Sequence, residues 1–258
     1  MPQLSWLEAE QNACFPPTTE ALANPPGLLA AGGALTPEWL LTAYERGIFP
    51  WYSDGEPILW WSPEPRMVLL PGEMHLSRSF RKAYRQTPPT ITVNGAFTRV
   101  IAACQAPRAR QPGTWISTSM RDAYTELHQL GWAHSIEVWC DDDLIGGLYG
   151  VGIDGVFFGE SMFSRRTNGS KLALLALQEA ALLQSLRLID CQVYNDHLAS
   201  LGAREVERRW FEQQLPRQRR QLSFPDAVAL NQAVSNRIYR GSLAEPLTDI
   251  VRDVADET

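Results

Sequence analysis

The chain has 258 residues, 45% hydrophobic and 20% charged, which fits a globular protein with a substantial core, in one large domain or two unequal ones. A net charge of −6 excludes a general nucleic-acid coat, which needs a basic balance, yet leaves room for a basic patch on an acidic body. No apolar run reaches the roughly 18 residues of a membrane span, and the N-terminus lacks the basic and apolar regions of a signal peptide, so a cytoplasmic location is expected.

Residues 1–62 are rich in Pro and Gly, with little charge and several tryptophans, and read as a small N-terminal domain. One helix is clear there. Thr36 is its N-cap, Pro37 sits where a missing N–H costs nothing, Leu40, Leu41 and Tyr44 form an apolar face, and Gly47 closes it. An aromatic loop, Ile48 to Tyr52, follows. Ser62-Pro63-Glu64-Pro65 can continue neither a helix nor a central strand, so a domain boundary is placed there.

From Arg66 on, strands and helices alternate. Met67–Leu70 reads as a strand, Ser79–Arg85 as a basic helix, Ile91–Val93 as a strand, Ala96–Cys104 as a helix, and Ser119–Leu130 as an amphipathic helix with Gly131 behind it. Ser135–Cys140 and Leu144–Val151 turn about three aspartates. Asp154-Gly155 signals a tight hairpin into Val156-Phe157-Phe158. A polar loop then leads to a long helix, Ser170–Leu186, a strand, Leu188–Val193, and short helices. The pattern predicts an α+β fold, with a second, larger domain over 63–236 and a partly mobile C-terminal tail over 237–258. The four cysteines lack metal-ligand spacing and read as reduced, buried thiols.

Chemistry concentrates in two blocks. Gly159-Glu160-Ser161-Met162-Phe163-Ser164 lies where a strand is expected to give way to a loop. In Ile189-Asp190-Cys191-Gln192-Val193, strand alternation puts Asp190 and Gln192 on one face and Ile189 on the other. A buried carboxylate beside an amide needs partners or a task; on the strand pattern alone, a satisfied core network serves as well as catalysis. Asn195-Asp196-His197 reads as a turn and helix cap rather than a triad. Of 23 basic residues only Lys82 and Lys171 are lysines; three- and four-residue spacing puts most of Arg78, Arg81, Lys82 and Arg85 on one helix side.

Taken in order, Gly47-Ile48-Phe49-Pro50-Trp51, Ile58-Leu59-Trp60-Trp61-Ser62-Pro63, Gly113-Thr114-Trp115-Ile116, His134-Ser135-Ile136-Glu137-Val138-Trp139, Gly159 to Ser164, Ser170-Lys171 and Ile189 to Gln192 resemble the leucyl/phenylalanyl-tRNA–protein transferases, from about Pro26 to Ala203. The resemblance implies a small N-terminal domain on a catalytic domain like that of GNAT acetyltransferases, with a mainly antiparallel central sheet. It implies transfer of Leu or Phe, and Met less well, from aminoacyl-tRNA to a protein beginning with Arg or Lys, creating an N-degron for proteolysis. No metal or soluble cofactor is implied, and a monomer is expected.

The resemblance also assigns roles. Asp190 takes or orients the proton of the acceptor amine, Gln192 holds the amine or the developing oxyanion, and Glu160 helps bind the cationic acceptor. Leu148, Phe157, Ser161, Leu174, Leu177, Ala181 and Ile189 belong to the donor amino-acid site. Some relatives carry aromatic residues where this chain has Leu177 and Ala181, which implies a roomier pocket. Trp51 and Trp115 match positions that enclose the aminoacyl-adenosine. The helix bearing Arg78, Arg81, Lys82 and Arg85 is assigned to the tRNA backbone, with Arg165, Arg166 and Lys171 around the catalytic loop. Two rival readings are an acyl-CoA N-acetyltransferase and a non-catalytic RNA-binding module. Against the first, Lys171 closes Arg166-Thr167-Asn168-Gly169-Ser170-Lys171 where a phosphate loop needs a small residue. Against the second stand the acidic charge and the Asp190/Gln192 pair.

Overall fold

A computed structural model of the chain describes residues 4–106 and 116–240. The N-terminal part holds β1 (Ser5–Leu7), β2 (Leu28–Gly32), α1 (Pro37–Tyr44), β3 (Phe49–Pro50) and β4 (Leu59–Trp61), its sheet ordered β1-β2-β4-β3. The helix start predicted at Thr36 is present, with the Thr36 hydroxyl accepting from the Trp39 N–H and Pro37 at the first turn. The helix ends at Tyr44, and Gly47 follows with φ +71° to turn the chain into β3.

The second part holds β5 (Arg66–Leu69), α2 (Arg78–Gln86), β6 (Thr90–Val93), α3 (Phe97–Gln105), α4 (Thr118–Gln129), β7 (Ala133–Cys140), β8 (Asp143–Ile153), β9 (Val156–Ser164), α5 (Gly169–Leu183), β10 (Leu188–Gln192), α6 (Asp196–Ser200), β11 (Arg204–Val206), α7 (Arg208–Gln213) and α8 (Ala227–Arg240). Its seven-stranded sheet runs β11-β5-β10-β9-β8-β7-β6, antiparallel at every pairing except β9 with β10. That pair is parallel because α5 carries the chain back across the sheet between them. The mixed, mostly antiparallel α+β class expected from the sequence is therefore present.

The sheet separates two cores. One face packs on the N-terminal part, α3 and α4, through Tyr44, Phe49, Val100, Tyr124, Tyr149 and Phe158. The other packs on α2, α5 and α8, through Phe80, Phe157, Leu174, Leu177, Ile189 and Val234. Asp154 and Gly155 both take positive φ, the conformation a two-residue hairpin turn requires, and β8 and β9 close around them in the predicted place.

Three expectations need correction. Gly159–Ser164 is strand rather than loop, because β9 continues through it with one bulge. The boundary at residue 237 falls inside α8, whose Leu230, Val234 and Ile238 are buried; Arg81 donates to the Arg237 and Ile238 carbonyls at 2.8 and 3.1 Å, and Arg85 to Ile238 at 3.1 Å. The rest of the expected tail, 241–258, lies outside the described residues. Of the cysteines only Cys104 is fully buried and Cys14 is exposed, and no disulfide joins any two of them. No helix among the described residues is long and apolar enough to cross a membrane.

Candidate active site

The β8–β9 ladder pairs Gly150 with Gly159 and Tyr149 with Ser161, so Glu160 is the extra residue of a bulge. A second irregularity lies on β10, in its pairing with β5, between Asp190 and Gln192. There Gln192 adopts φ +65°, and its N–H donates to Asp190 Oδ1 at 2.9 Å. Bulges bend strands and re-aim side chains. Here they open the sheet between β9 and β10 into a cavity of 350 Å³ that reaches both faces. Gly150 allows this crowding, since a Cβ there would stand 2.2 Å from the Phe158 carbonyl oxygen.

One wall of the cavity is apolar, built from Leu148 on β8, Phe157 on β9, Leu174 and Leu177 on α5, and Ile189 on β10. The opposite wall carries Glu160, Asp190 and Gln192, and Trp51 stands at the edge, 41% exposed and tilted against the Trp61 ring. Ser161 and Met162 also line the space. Alternation does send Ile189 and Asp190 to opposite cores, yet both line the cavity because the splayed strands let it pass through the sheet. Ala181 is different: one turn further along α5, about 6 Å on, it is buried in the core and does not line the cavity.

Asp190 is fully buried and held by Arg66, whose Nε donates to Oδ1 at 2.8 Å and Nη2 to Oδ2 at 2.6 Å. Arg66 also donates to the Gly47 carbonyl at 3.0 Å, and its guanidinium lies between the Phe49 and Phe211 rings, 4.8 and 4.5 Å from their centroids. The planar guanidinium suits this combined bidentate and stacking role. Asp190, Arg66 and the N-terminal part thus form one unit that fixes Gln192.

Gln192 Nε2 donates to Glu160 Oε1 at 2.8 Å. The Tyr44 hydroxyl donates to the same oxygen at 2.6 Å, the Tyr124 hydroxyl to Oε2 at 2.9 Å, and the two hydroxyls bond each other. Burial raises the Glu160 carboxyl to about 7, opposed by the hydrogen bonds from Tyr44, Tyr124 and Gln192 and reinforced by the Asp190 charge. Burial first, and then the Glu160 charge, push both phenols well above their ordinary 10.0, so they stay protonated donors. Sequence reading missed Arg66, Tyr44 and Tyr124. Tyr44 read as helix-face core, and nothing local marks any of the three as polar partners.

The basic residues do not gather here. Arg78 and Lys82 are exposed on α2, while Arg81 and Arg85 are occupied with α8 carbonyls. Lys171 lines a separate cavity with His75, Ser77 and Ser200. Arg166 pairs with Asp143 at 2.6 Å, and Arg165 lies over the Phe163 ring. Trp115 lies outside the described residues. Asn195 caps α6, its side chain accepting from the His197 and Leu198 N–H groups, as expected.

Comparison with known proteins places this geometry in a family. The family model described as leucyl/phenylalanyl-tRNA protein transferase matches residues 68–216, and the one for its N-terminal domain matches 33–64. Curated relatives named leucyl/phenylalanyl-tRNA–protein transferase include one from Chromobacterium violaceum, 54% identical over 80% of this chain and 87% of that one. Another, from Chromohalobacter salexigens, is 55% identical over 81% of both chains. A third, from Saccharophagus degradans, is 52% identical over 83% of this chain and 87% of that one. Among solved structures, L-PGS from Bacillus licheniformis is 10% identical with a TM-score of 0.34, over 59% of this chain and 51% of that one, a likeness too weak to bear on the fold. The matches span both parts of the chain and every residue that lines the cavity: the chain belongs to the leucyl/phenylalanyl-tRNA–protein transferase family.

Proposed function

We propose that the cavity between β9 and β10 is where leucine or phenylalanine leaves aminoacyl-tRNA and joins the N-terminal Arg or Lys of an acceptor protein. The observation that carries this reading is the meeting of an apolar wall with the Glu160–Gln192–Asp190 wall in one 350 Å³ space. The donor side chain fits against Leu148, Phe157, Leu174, Leu177 and Ile189. Its adenosine stacks on Trp51, and such stacking contributes about 1–3 kcal/mol without sequence readout.

The chemistry is aminolysis of an ester. The acceptor α-amine, with a pKa of about 7.7–8.0, is deprotonated with little driving force, so positioning supplies much of the rate. Asp190, neutralised by Arg66, orients Gln192; Gln192 holds the amine or the developing oxyanion; Glu160 attracts the cationic acceptor. Phosphates of the tRNA meet exposed basic side chains, Arg78 and Lys82 foremost, and carry most of the binding without sequence discrimination.

An antiparallel meander, followed by a parallel strand reached through a long helix, supports reading the catalytic domain as GNAT-like. The product's new N-terminus would act as an N-degron, and a soluble cytoplasmic monomer is the working form. Labelled leucine offered as leucyl-tRNA to an Arg-initiated peptide tests the reading. Incorporation that disappears in Gln192→Ala with tRNA binding retained supports it, and undiminished incorporation in that variant overturns the site.

A further inference from the structure

We propose that Glu160 is the proton-exchanging carboxyl of this site and that Tyr44 and Tyr124 are positioning residues that close a hydrogen-bonded ring with it. The inference rests on the reading above that this cavity is where transfer takes place.

Three groups make three oxygen–oxygen contacts: Tyr44 with Glu160 Oε1 at 2.6 Å, Tyr124 with Glu160 Oε2 at 2.9 Å, and Tyr44 with Tyr124. Each phenol has one proton to donate. With an ionised Glu160 both are spent on the carboxylate, and the Tyr44–Tyr124 contact brings two bare oxygens together. With one proton on the carboxyl, every contact has its donor. Gln192 Nε2 already occupies Oε1 from outside the ring, which leaves Oε2 as the protonated oxygen. In that protonated form Oε2–H donates to Tyr124, the reverse of the bond Tyr124 donates to an ionised Glu160, while Tyr124 donates to Tyr44 and Tyr44 to Oε1.

Asp190 cannot take this part. Its oxygens accept from Arg66 twice and from the Gln192 N–H, and it is sealed from water. Glu160, by contrast, faces no cation directly. Around it stand Tyr44 on α1, Tyr124 on α4, Tyr149 on β8, and Gln192 and Asp190 on β10, with Arg66 on β5 reaching only Asp190. Burial brings its carboxyl to about 7, close to the acceptor amine it would serve.

The ionised form of Glu160, present beside the protonated ring near neutrality, takes one proton from the acceptor ammonium and so closes the ring, and the neutral amine's lone pair forms the new C–N bond. The ester C–O bond breaks, and its electron pair leaves on the ribose oxygen. A second amine proton ends on that oxygen as the tetrahedral intermediate collapses. Glu160 then releases its proton to solvent. One ammonium and one ester become one amide, one alcohol and one proton.

The test is a carbon-13 titration of glutamate-labelled full-length protein, with the Glu160 signal assigned by its loss in Glu160→Gln. The wild-type midpoint is expected near neutrality. In Tyr44→Phe and Tyr124→Phe it is expected to move upward by about one pH unit, because each variant removes a donor to the charged form. The acidic limb of kcat/KM for leucyl transfer to an Arg-initiated peptide should move with it, while tRNA affinity stays. A wild-type midpoint near the ordinary 4.5 overturns the inference even if the Phe variants do not fold. Unshifted midpoints in folded Phe variants overturn it as well. Undiminished transfer by Glu160→Gln would overturn it too, whereas undiminished transfer by Gln192→Ala would overturn the reading of the site beneath it.

Discussion

Arg66 grips Asp190 with two parallel hydrogen bonds of 2.8 and 2.6 Å, and both side chains are buried. The pair joins β5 to β10, and through Gly47 and Phe49 it ties the N-terminal part to the strand that carries Gln192. Breaking a buried pair from one side leaves an uncompensated charge, which costs about 3–5 kcal/mol. Arg66→Met should therefore destabilise by that order. Adding Asp190→Leu should restore much of the stability by removing the stranded carboxylate. Transfer should stay low in the double variant, because the Gln192 N–H has lost its acceptor. Urea unfolding and single-turnover transfer check the two halves; wild-type turnover in the double variant would remove Asp190 from the orienting role.

Asp190→Ala and Gln192→Ala should lower turnover more than tRNA affinity, since neither residue meets the tRNA backbone in this reading. Full transferase activity in both variants would exclude the pair from the mechanism.

Charge reversal on α2 should separate two roles. Arg78 and Lys82 are exposed, so Arg78→Glu with Lys82→Glu should weaken tRNA binding and flatten its dependence on salt, by about two units of log–log slope at most. Arg81 is bonded to the end of α8, so Arg81→Glu should also lower the melting temperature. A salt slope equal to wild type in the Arg78/Lys82 variant would place the tRNA elsewhere.

Donor choice depends on the apolar wall. Leu177→Phe fills space in the cavity and should reduce transfer of Phe more than of Leu, since the ring needs more room. Discrimination should be graded, as about 1–3 kcal/mol per methylene is what an apolar pocket supplies. Ala181→Phe, in the core beyond the cavity, should cost about 1–3 kcal/mol of stability through overpacking. It should leave the ratio of the two transfer efficiencies alone. A ratio moved by Ala181→Phe and not by Leu177→Phe would reverse this assignment.

Glu179 on α5 is raised by burial to about 7, with Arg237 of α8 opposing at 3.6 Å. An acid whose folded pKa exceeds its unfolded value binds more protons when folded. Its contribution to stability is full below the ordinary 4.5 and is lost as pH rises through about 7. Glu160 acts in the same direction. Glu179→Gln should flatten the fall of stability across that window, whatever it does to absolute stability. Urea midpoints measured across it provide the check, and a slope identical to wild type would mean that Glu179 does not titrate there.

Much of this was readable from neighbouring residues alone. The Thr36-Pro37 start, the Asp154-Gly155 hairpin and the Leu174/Leu177 spacing on a helix all depend on contacts or preferences within a few positions, and all appear where expected. The bulges did not show. Gly159 to Ser164 looks like loop because an extra residue breaks alternation, and only the register against β8 reveals that Glu160 is the one squeezed out. Nor could spacing announce that Tyr44 meets Glu160 from 116 positions away, or Arg66 Asp190 from 124. A local pattern determines how a segment folds because its causes are local sterics and burial. Which buried hydroxyl or guanidinium meets a given carboxylate depends on how sheets and helices pack, and that was settled only when the N-terminal part closed over the central sheet.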